Sequence, residues 1–389
     1  MKVKIVDTLS YRTFHEVFNG AVVYMCLHIF DKVHFYASST TYATIRKLID
    51  RYDQFWPSSS LVYKKVFVLP KEKTFGGLVK YLLSAWLNIW HLWTAPANTQ
   101  IIYTNNNPLS LWGIVLCNYL LKKKVVIFCH GELELLLRSP RIYKPSFLYK
   151  YIFVILFRYG YLGPYVKLCV LGNSILQNLR PYLNKRNQSN VFSIEHPYFF
   201  SHEQSPFNMP HFPLKLGTVG TMTKAKGLQS LIDLASSVGR DVHLSVVGRL
   251  MDTVSDKEGY IHFMAGKDEN IPRDQYEKAI QELDFILFLY PTDTYKLIAS
   301  GAIFDAIDLG KPVIAFSNAY FDHVFSISIG YVCKDLSQMI NKIQELIQHP
   351  EQVDHDYPIF LQNIEELRKR FDVKTVTSQF KQQLSCIYM

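Results

Sequence analysis

No two cysteines lie close together. The six (Cys26, Cys117, Cys129, Cys169, Cys333, Cys386) are scattered along the chain, which excludes a disulfide framework or a paired-thiol zinc site. They read as buried free thiols in a reducing compartment. Charge is sparse: 19% of residues are charged against 49% hydrophobic, a balance that excludes a disordered chain. No repeat of roughly 20–50 residues marks a solenoid or propeller. Both glycine-rich phosphate signatures, GxxxxGK[ST] and GxGxxG, are missing. The apolar stretch 75–93 is interrupted by Lys80, Asn88 and His91, which makes it a poor membrane-spanning helix. Residues 1–6, MKVKIV, read directly as a first strand, so no signal peptide is expected.

What remains is a chain of 389 residues, too long for one ordinary core and suited to two domains. The net charge of +9 favours anionic partners: nucleic acid, sugar nucleotides or an acidic membrane surface. Apolar runs of strand length alternate with helical patterns. Strands are expected at 3–6, 33–36, 65–69, 101–104, 125–128, 168–171 and 191–194, then at 216–219, 243–247, 261–264, 285–289, 313–316 and 331–333. Such alternation predicts parallel sheets with helices on both faces. The fold class expected is α/β, with two Rossmann-like doubly wound domains and a cleft between them. The N-terminal domain would cover 1–197, with a Pro-rich linker at 198–213, HPYFFSHEQSPFNMPHFP being the break around it. A second domain would cover 214–372. Residues 373–389 form a last helix.

Residues 285–316 organise the second domain. An apolar run ends at Tyr290, a polar loop follows, and Ser300-Gly301-Ala302 reads as a capped helix start with almost no side chain. The helix stops at Gly310, before Lys311-Pro312. Bare amides at the positive end of a helix suit a diphosphate. Residues 217–234, GTVGTMTKAKGLQSLIDL, put Gly220 at a strand end and Lys226-Gly227 at a helix start. VVGR at 246–249 brings Arg249 to a second strand end. In the first half, VVIFCHGE at 125–132 ends a strand at His130-Gly131, with Glu132 in the loop. The loop after the first strand, LSYRTFHEVFNG, lacks early glycine and carries Arg12, His15 and Glu16. Asp354-His355-Asp356 follows a proline and reads as a solvated loop, so no metal is expected there.

These motifs, above all DAIDLGKPVIA at 305–315, resemble the donor domain of the group 1 (family 4-like) glycosyltransferases with the GT-B fold. The resemblance implies a nucleotide diphosphate sugar as donor and a glycan or lipid-linked acceptor. Lys226 would bind donor phosphate, with Gly220 at the strand end. Ser300, Gly301 and Ala302 would receive the diphosphate, and Asp305 the ribose. Two positions depart from the pattern: the family's first glutamate falls on Leu297, and its strand-end arginine on Thr221. Lys224, Arg249 or Lys296 would then supply charge. A histidine at the place of His130 often lies beside the transferred sugar, with Glu16, His15 or Glu132 as candidate bases. The resemblance also implies that the last helix returns to the first domain, that catalysis needs no metal or cofactor, and that configuration is retained. The expected location is cytoplasmic, at the inner face of the membrane, where the basic aromatic stretch 143–166 would lie on anionic lipid. A sugar-nucleotide epimerase and a non-catalytic module for nucleic acid or anionic lipid are the alternatives. Dispersed basic residues and the lack of a nucleic-acid motif argue against nucleic acid.

Overall fold

The computed structural model describes residues 1–12, 15–69, 75–137, 145–201, 209–254, 256, 258–269 and 271–387, without the side chains at 75–77, 145–147 and 149. The chain divides into two compact units. The first comprises Met1–Phe200, Leu297–Ala299 and Arg370–Met389; the second comprises Ser201–Lys296 and Ser300–Lys369.

The first unit runs β1 (Lys2–Val6), α1 (Glu16–Ile29), β2 (Lys32–Ala37), α2 (Ser39–Tyr52), β3 (Leu61–Lys65), α3 (Phe75–Trp93), β4 (Thr99–Tyr103) and α4 (Pro108–Leu121). It continues through β5 (Val125–Phe128), α5 (Pro145–Arg158), β6 (Val166–Leu171), α6 (Asn173–Leu179), α7 (Lys185–Gln188) and β7 (Val191–Ile194). Among the described residues its strands form a seven-stranded sheet of order β3-β2-β1-β4-β5-β6-β7. Neighbours are parallel, with Val3 opposite Val33 on one side and Gln100 on the other. β5 and β6 are buried along their whole length, as expected of strands covered on both faces. Strand order reverses between β1 and β4, the topological switch point where doubly wound sheets open a crevice.

The second unit repeats the plan: β8 (Lys215–Val219), α8 (Leu228–Val238), β9 (His243–Val247), β10 (Ile261–Phe263), α9 (Arg273–Gln281), β11 (Phe285–Phe288) and α10 (Ala302–Asp308). Then come β12 (Val313–Phe316), α11 (Ala319–Val324), β13 (Gly330–Cys333), α12 (Leu336–Gln348) and α13 (Pro350–Phe371). Its order is β10-β9-β8-β11-β12-β13, all parallel in the described pairs, with the switch point between β8 and β11. The last helix, α14 (Val373–Cys386), lies in the first unit. It buries Val373, Val376 and Phe380 in the cluster that holds Phe128 and Phe192.

Helix ends show why these segments stop where they do. Asn107 caps α4 through the Ser110 amide, with Pro108 next to it, and Asp335 caps α12 through the Gln338 amide. The carboxyl end of α3 is closed by two buried lysines. Lys123 Nζ donates to the carbonyls of Leu92, Trp93 and Ala95, and Lys4 Nζ to that of His91. Burial lowers Lys4 to about 8. Two of the chain's positive charges therefore complete a helix end rather than meet an external anion.

Two sequence readings are corrected. The third strand is Leu61–Lys65 and not 65–69; it is an edge strand, registered by Val33 opposite Leu61 and Ala37 opposite Lys65, while Val66 and Val68 are buried beyond its end. Asp354, His355 and Asp356 lie inside α13, where Asp356 accepts the Tyr331 hydroxyl at 2.9 Å. Pro350 begins this helix, as proline can in a first turn. α11 was not foreseen; Asn318 accepts from the amides of Tyr320 and Phe321 and starts it within a short polar interval. At the start of the stretch 196–213, Tyr198, Phe199 and Phe200 are buried. Residues 202–208 of that stretch, and 143–144 of the basic aromatic stretch, lie outside the described residues.

Candidate functional site

In the second unit the switch-point strands end in main chain with little side chain. Gly220 follows β8 with φ +79° and Gly248 follows β9 with φ +136°. A Cβ on Gly248 would lie 2.1 Å from the Gly220 carbonyl oxygen, so the two strand ends meet backbone to backbone. Residues Lys224–Lys226 then make one tight helical turn, and Gly227 enters α8 with φ +87°. A Cβ on Gly227 would lie 2.2 Å from the Leu289 carbonyl oxygen. Only glycine fits there, and this pins Lys226 beside the end of β11. Its ammonium lies 5.2 Å from the centre of the Tyr290 ring. Among the described residues it pairs with no carboxylate. Tyr290 stacks on Tyr295 at 4.6 Å, and its buried hydroxyl has no hydrogen-bond partner among the described residues.

α10 faces the same strand end: the Cβ position of Gly220 is 3.6 Å from Ala302 Cβ and 3.9 Å from the Tyr276 hydroxyl. At Gly301 a Cβ would meet nothing within 4 Å, so the main chain there borders open space. Three sequence readings change. Ser300 is buried and does not cap; Gly301 is the residue before α10, and no side chain caps this end. Asp305 is already engaged: the Tyr276 hydroxyl donates to it at 2.9 Å, and Arg273 pairs with it at 3.2 Å. Arg249 is likewise paired, with Asp268 at 3.3 Å. Thr221 and Lys224 are exposed next to this turn, and the Lys224 amide donates to Asp252. Tyr276, Arg273 and Tyr290 escaped the sequence reading as site residues because a lone aromatic or arginine carries no spacing signal.

The first unit treats its switch point differently. Asp7, fully buried after β1, accepts from the amides of Ser10 (2.9 Å) and Leu9 (3.2 Å) and from the side-chain amides of Asn19 (2.8 Å) and Asn105 (3.2 Å). Burial raises its pKa, partly opposed by these donors. Thr8 bonds to Ser84 and Asn88. The loop that lacks early glycine is thus tied from inside by an aspartate no motif announced.

Beside it, His130 is half-buried. Its Nε2 lies 2.9 Å from the Thr104 carbonyl oxygen, so that nitrogen carries the proton and Nδ1 keeps the lone pair. Its ring stacks on His15 at 4.8 Å and meets the Phe18 edge at 4.2 Å. Burial, then the neighbouring His15 and His196, holds its pKa well below the usual imidazole range. His196 packs on the same Phe18 and is lowered to about 4, mainly by burial. Glu132 turns back, and its Oε2 accepts the His130 amide at 2.9 Å. Burial raises Glu132 to about 7, with the Cys129 thiol beside it. The structure therefore brings His15, His130 and Glu132 together. Arg12 is exposed and Glu16 begins α1. The sequence reading missed Glu134. Its Oε2 accepts the amide of Leu297 at 2.9 Å, so a carboxylate reaches the main chain of a residue that carries none.

Among the described residues, no group of three or more His, Cys, Asp or Glu side chains is placed to hold a metal ion. No helix is long and apolar enough to cross a membrane.

No family model matches the sequence, and no curated protein does. Solved structures match across the whole chain. HepE from Anabaena, solved with UDP, superposes at a TM-score of 0.63 with 13% identity over 99% of this chain and 100% of its own. Sucrose-phosphate synthase from Thermosynechococcus elongatus gives 0.63 with 14% identity over 100% and 98%. WaaG, a glycosyltransferase involved in lipopolysaccharide biosynthesis, gives 0.60 with 13% identity over 99% and 100%. At such identities the likeness shows the fold: two Rossmann-like units of the GT-B type.

Proposed function

We propose that this chain is a glycosyltransferase that moves a sugar from a nucleoside diphosphate sugar to a glycan or lipid-linked acceptor in surface polysaccharide or glycoconjugate assembly. The observation that carries this reading is the Lys226 ammonium, without a carboxylate partner among the described residues and held by Gly227 beside bare main chain at a switch point. HepE, a structure of the same fold, has been solved with both UDP and UDP-glucose.

In the proposed reaction the bond between the anomeric carbon and the diphosphate breaks, a bond from the acceptor oxygen to that carbon forms as the acceptor hydroxyl gives up its proton, and negative charge grows on the leaving phosphate. Lys226 and the open main chain at Gly301 and Ala302 stabilise that charge. Thr221 offers a hydroxyl where the family pattern has an arginine. Asp305, already oriented by Tyr276 and Arg273, serves the ribose. A fixed cation and amides are preorganised, so they act without reorganisation at the moment of reaction. This reading assigns the charge balance to protein groups and uses no metal; turnover is expected to persist in EDTA. In the first unit proton affinity distinguishes the two candidates. His130 is too weak a base to hold a proton near neutrality, while its Nδ1 remains an acceptor for a sugar hydroxyl. Glu132, near 7, suits proton transfer with the acceptor. Retention of configuration follows the resemblance, and proton NMR of the product's anomeric centre reads it directly.

The test is a thermal-shift series with UDP, GDP and their sugar conjugates on the full chain. A ligand bound only by the native state raises stability by about 2.7 kcal/mol at a hundredfold excess over its Kd. At least one nucleoside diphosphate is expected to raise the Tm, and Lys226→Ala to abolish the shift. No shift with any of them would remove the basis of the proposal.

A further inference from the structure

Three successive helices of the first unit, α3, α4 and α5, pack on one another in that order. Gly113 lets α3 approach α4, since a Cβ there would lie 2.3 Å from Ile89 Cδ1, and Trp112 Nε1 donates to the Ile152 carbonyl at 2.9 Å. Their inner faces are buried in the ordinary way. Their outer faces are not polar. On α3, Leu78, Leu82, Trp86, Trp90 and Trp93 are exposed by 41 to 59%. At 100° per residue these five positions fall within one third of the helix circumference. Trp86 and Trp90 stack on each other at 6.2 Å. On α4 the exposed residues are Leu116, Tyr119 and Leu120, again on one side. On α5 and just beyond, Leu148, Tyr151, Ile155 and Tyr159 form a single narrow stripe. A soluble surface rarely leaves so much contiguous aromatic and aliphatic area uncovered.

The charge around this face is mainly positive. α3, α4 and α5 contain no Asp or Glu. Residues 73–194 hold 14 Lys and Arg against two acids, Glu132 and Glu134. That stretch alone exceeds the net +9 of the whole chain. Lys123 is spent inside, on the end of α3. Others border the patch: Arg158 is exposed at the end of α5. Lys122 and Lys124 follow α4 and line a recess of about 710 Å³ with Lys2 and Lys381 at the amino ends of β1 and β4. The helices run antiparallel to the strands they connect, so Trp93, Leu120 and Tyr159 end at this same edge of the sheet.

We infer that the α3–α4–α5 face docks on an anionic lipid bilayer. Trp and Tyr sit well at the headgroup level, Leu and Ile below it, and Lys and Arg meet lipid phosphate. The three helices themselves carry no acid, and Asp31, beside the recess, is paired with the amino terminus. A protein partner or a second copy would be served by apolar area alone; the mainly basic surround is what singles out lipid. The inference is independent of the reaction and of the second unit.

The test is co-sedimentation of the full chain with phosphatidylcholine vesicles, with and without phosphatidylglycerol, while tryptophan emission is recorded. Binding and a blue shift are expected with phosphatidylglycerol, weakening as salt rises. W86S/W90S, changing two exposed side chains, is expected to lower the bound-to-free ratio about tenfold or more, and Arg158→Glu by a smaller factor. Circular dichroism and the nucleotide thermal shift check that both variants remain folded. Absence of binding to the phosphatidylglycerol vesicles would overturn the inference. So would equal binding to pure phosphatidylcholine, or binding unaltered in W86S/W90S. Light scattering that shows wild-type dimers, lost in W86S/W90S and without vesicle binding, would assign the face to self-association instead.

Discussion

The two switch points of this molecule share a topology and differ in what fills them. After β1 the chain plugs its own crevice: Asp7 accepts four N–H donors, and Thr8, Ser84 and Asn88 extend the network. After β8 and β9 the chain leaves main chain bare, with left-handed glycines at Gly220, Gly227 and Gly248 and a lysine that meets no acid among the described residues. Buried polar groups cost free energy unless they are paired. A crevice sealed by internal hydrogen bonds therefore supports stability, and one left open supports binding. The same fold rule places both; the side chains decide which one is available to a ligand.

The largest test of this contrast is Gly227→Ala. A methyl group 2.2 Å from the Leu289 carbonyl oxygen at φ +87° has to move backbone. The expected loss is about 4 kcal/mol of unfolding free energy, measured by urea titration, together with loss of nucleotide binding. Tolerance of alanine would show that the close approach is not a requirement.

Lys226→Ala removes charge without removing a native ion pair. Turnover is expected to fall by about 2.7–4 kcal/mol in transition-state stabilisation, roughly two to three orders of magnitude, while the urea midpoint stays within error. A loss of stability equal to the loss of rate would mean that the lysine is structural.

Asp7→Ala does the reverse. Orphaning several buried donors is expected to cost about 2–3 kcal/mol of stability, with the nucleotide affinity of the remaining folded protein unaltered. A selective loss of nucleotide binding with normal stability would collapse the contrast between the two crevices.

The smallest effect concerns Glu132. Its folded pKa, near 7, is raised above the ordinary 4.5 by burial. The native state therefore holds this proton more tightly than the unfolded chain. The associated stability is fully present below about pH 4.5 and is lost as pH rises through 7. Glu132→Gln, which cannot ionise, is expected to match wild type near pH 4.5 and to exceed it at pH 8.5 by about 1–2 kcal/mol, a value discounted for partial exposure. An equal pH slope in both proteins would show that Glu132 is not the titrating group.

Much of the candidate site's backbone geometry was legible because local pattern encoded it. Gly220, Lys226 and Gly227 lie within eight consecutive residues, and strand-to-helix transitions of this kind are read from adjacent positions. The sequence was silent where a side chain depends on a distant partner. Asp305 has the right place in its motif, but Arg273 and Tyr276 lie on another helix and hold it. Arg249 ends a strand as expected, while its partner Asp268 sits across a loop. Ser300 had a capping pattern, and packing buried it instead.

Composition and periodicity alone determined that this chain builds two parallel α/β sheets, because alternating apolar runs and amphipathic segments are properties of neighbouring residues. Tertiary structure alone decided that His15 stacks on His130, that Asp7 meets Asn105 across 98 positions of sequence, and that Trp86, Trp90 and Trp93 of α3, Tyr119 of α4 and Tyr151 of α5 turn outward. Those outcomes depend on which surfaces the folded sheet covers, and no local rule carries that information.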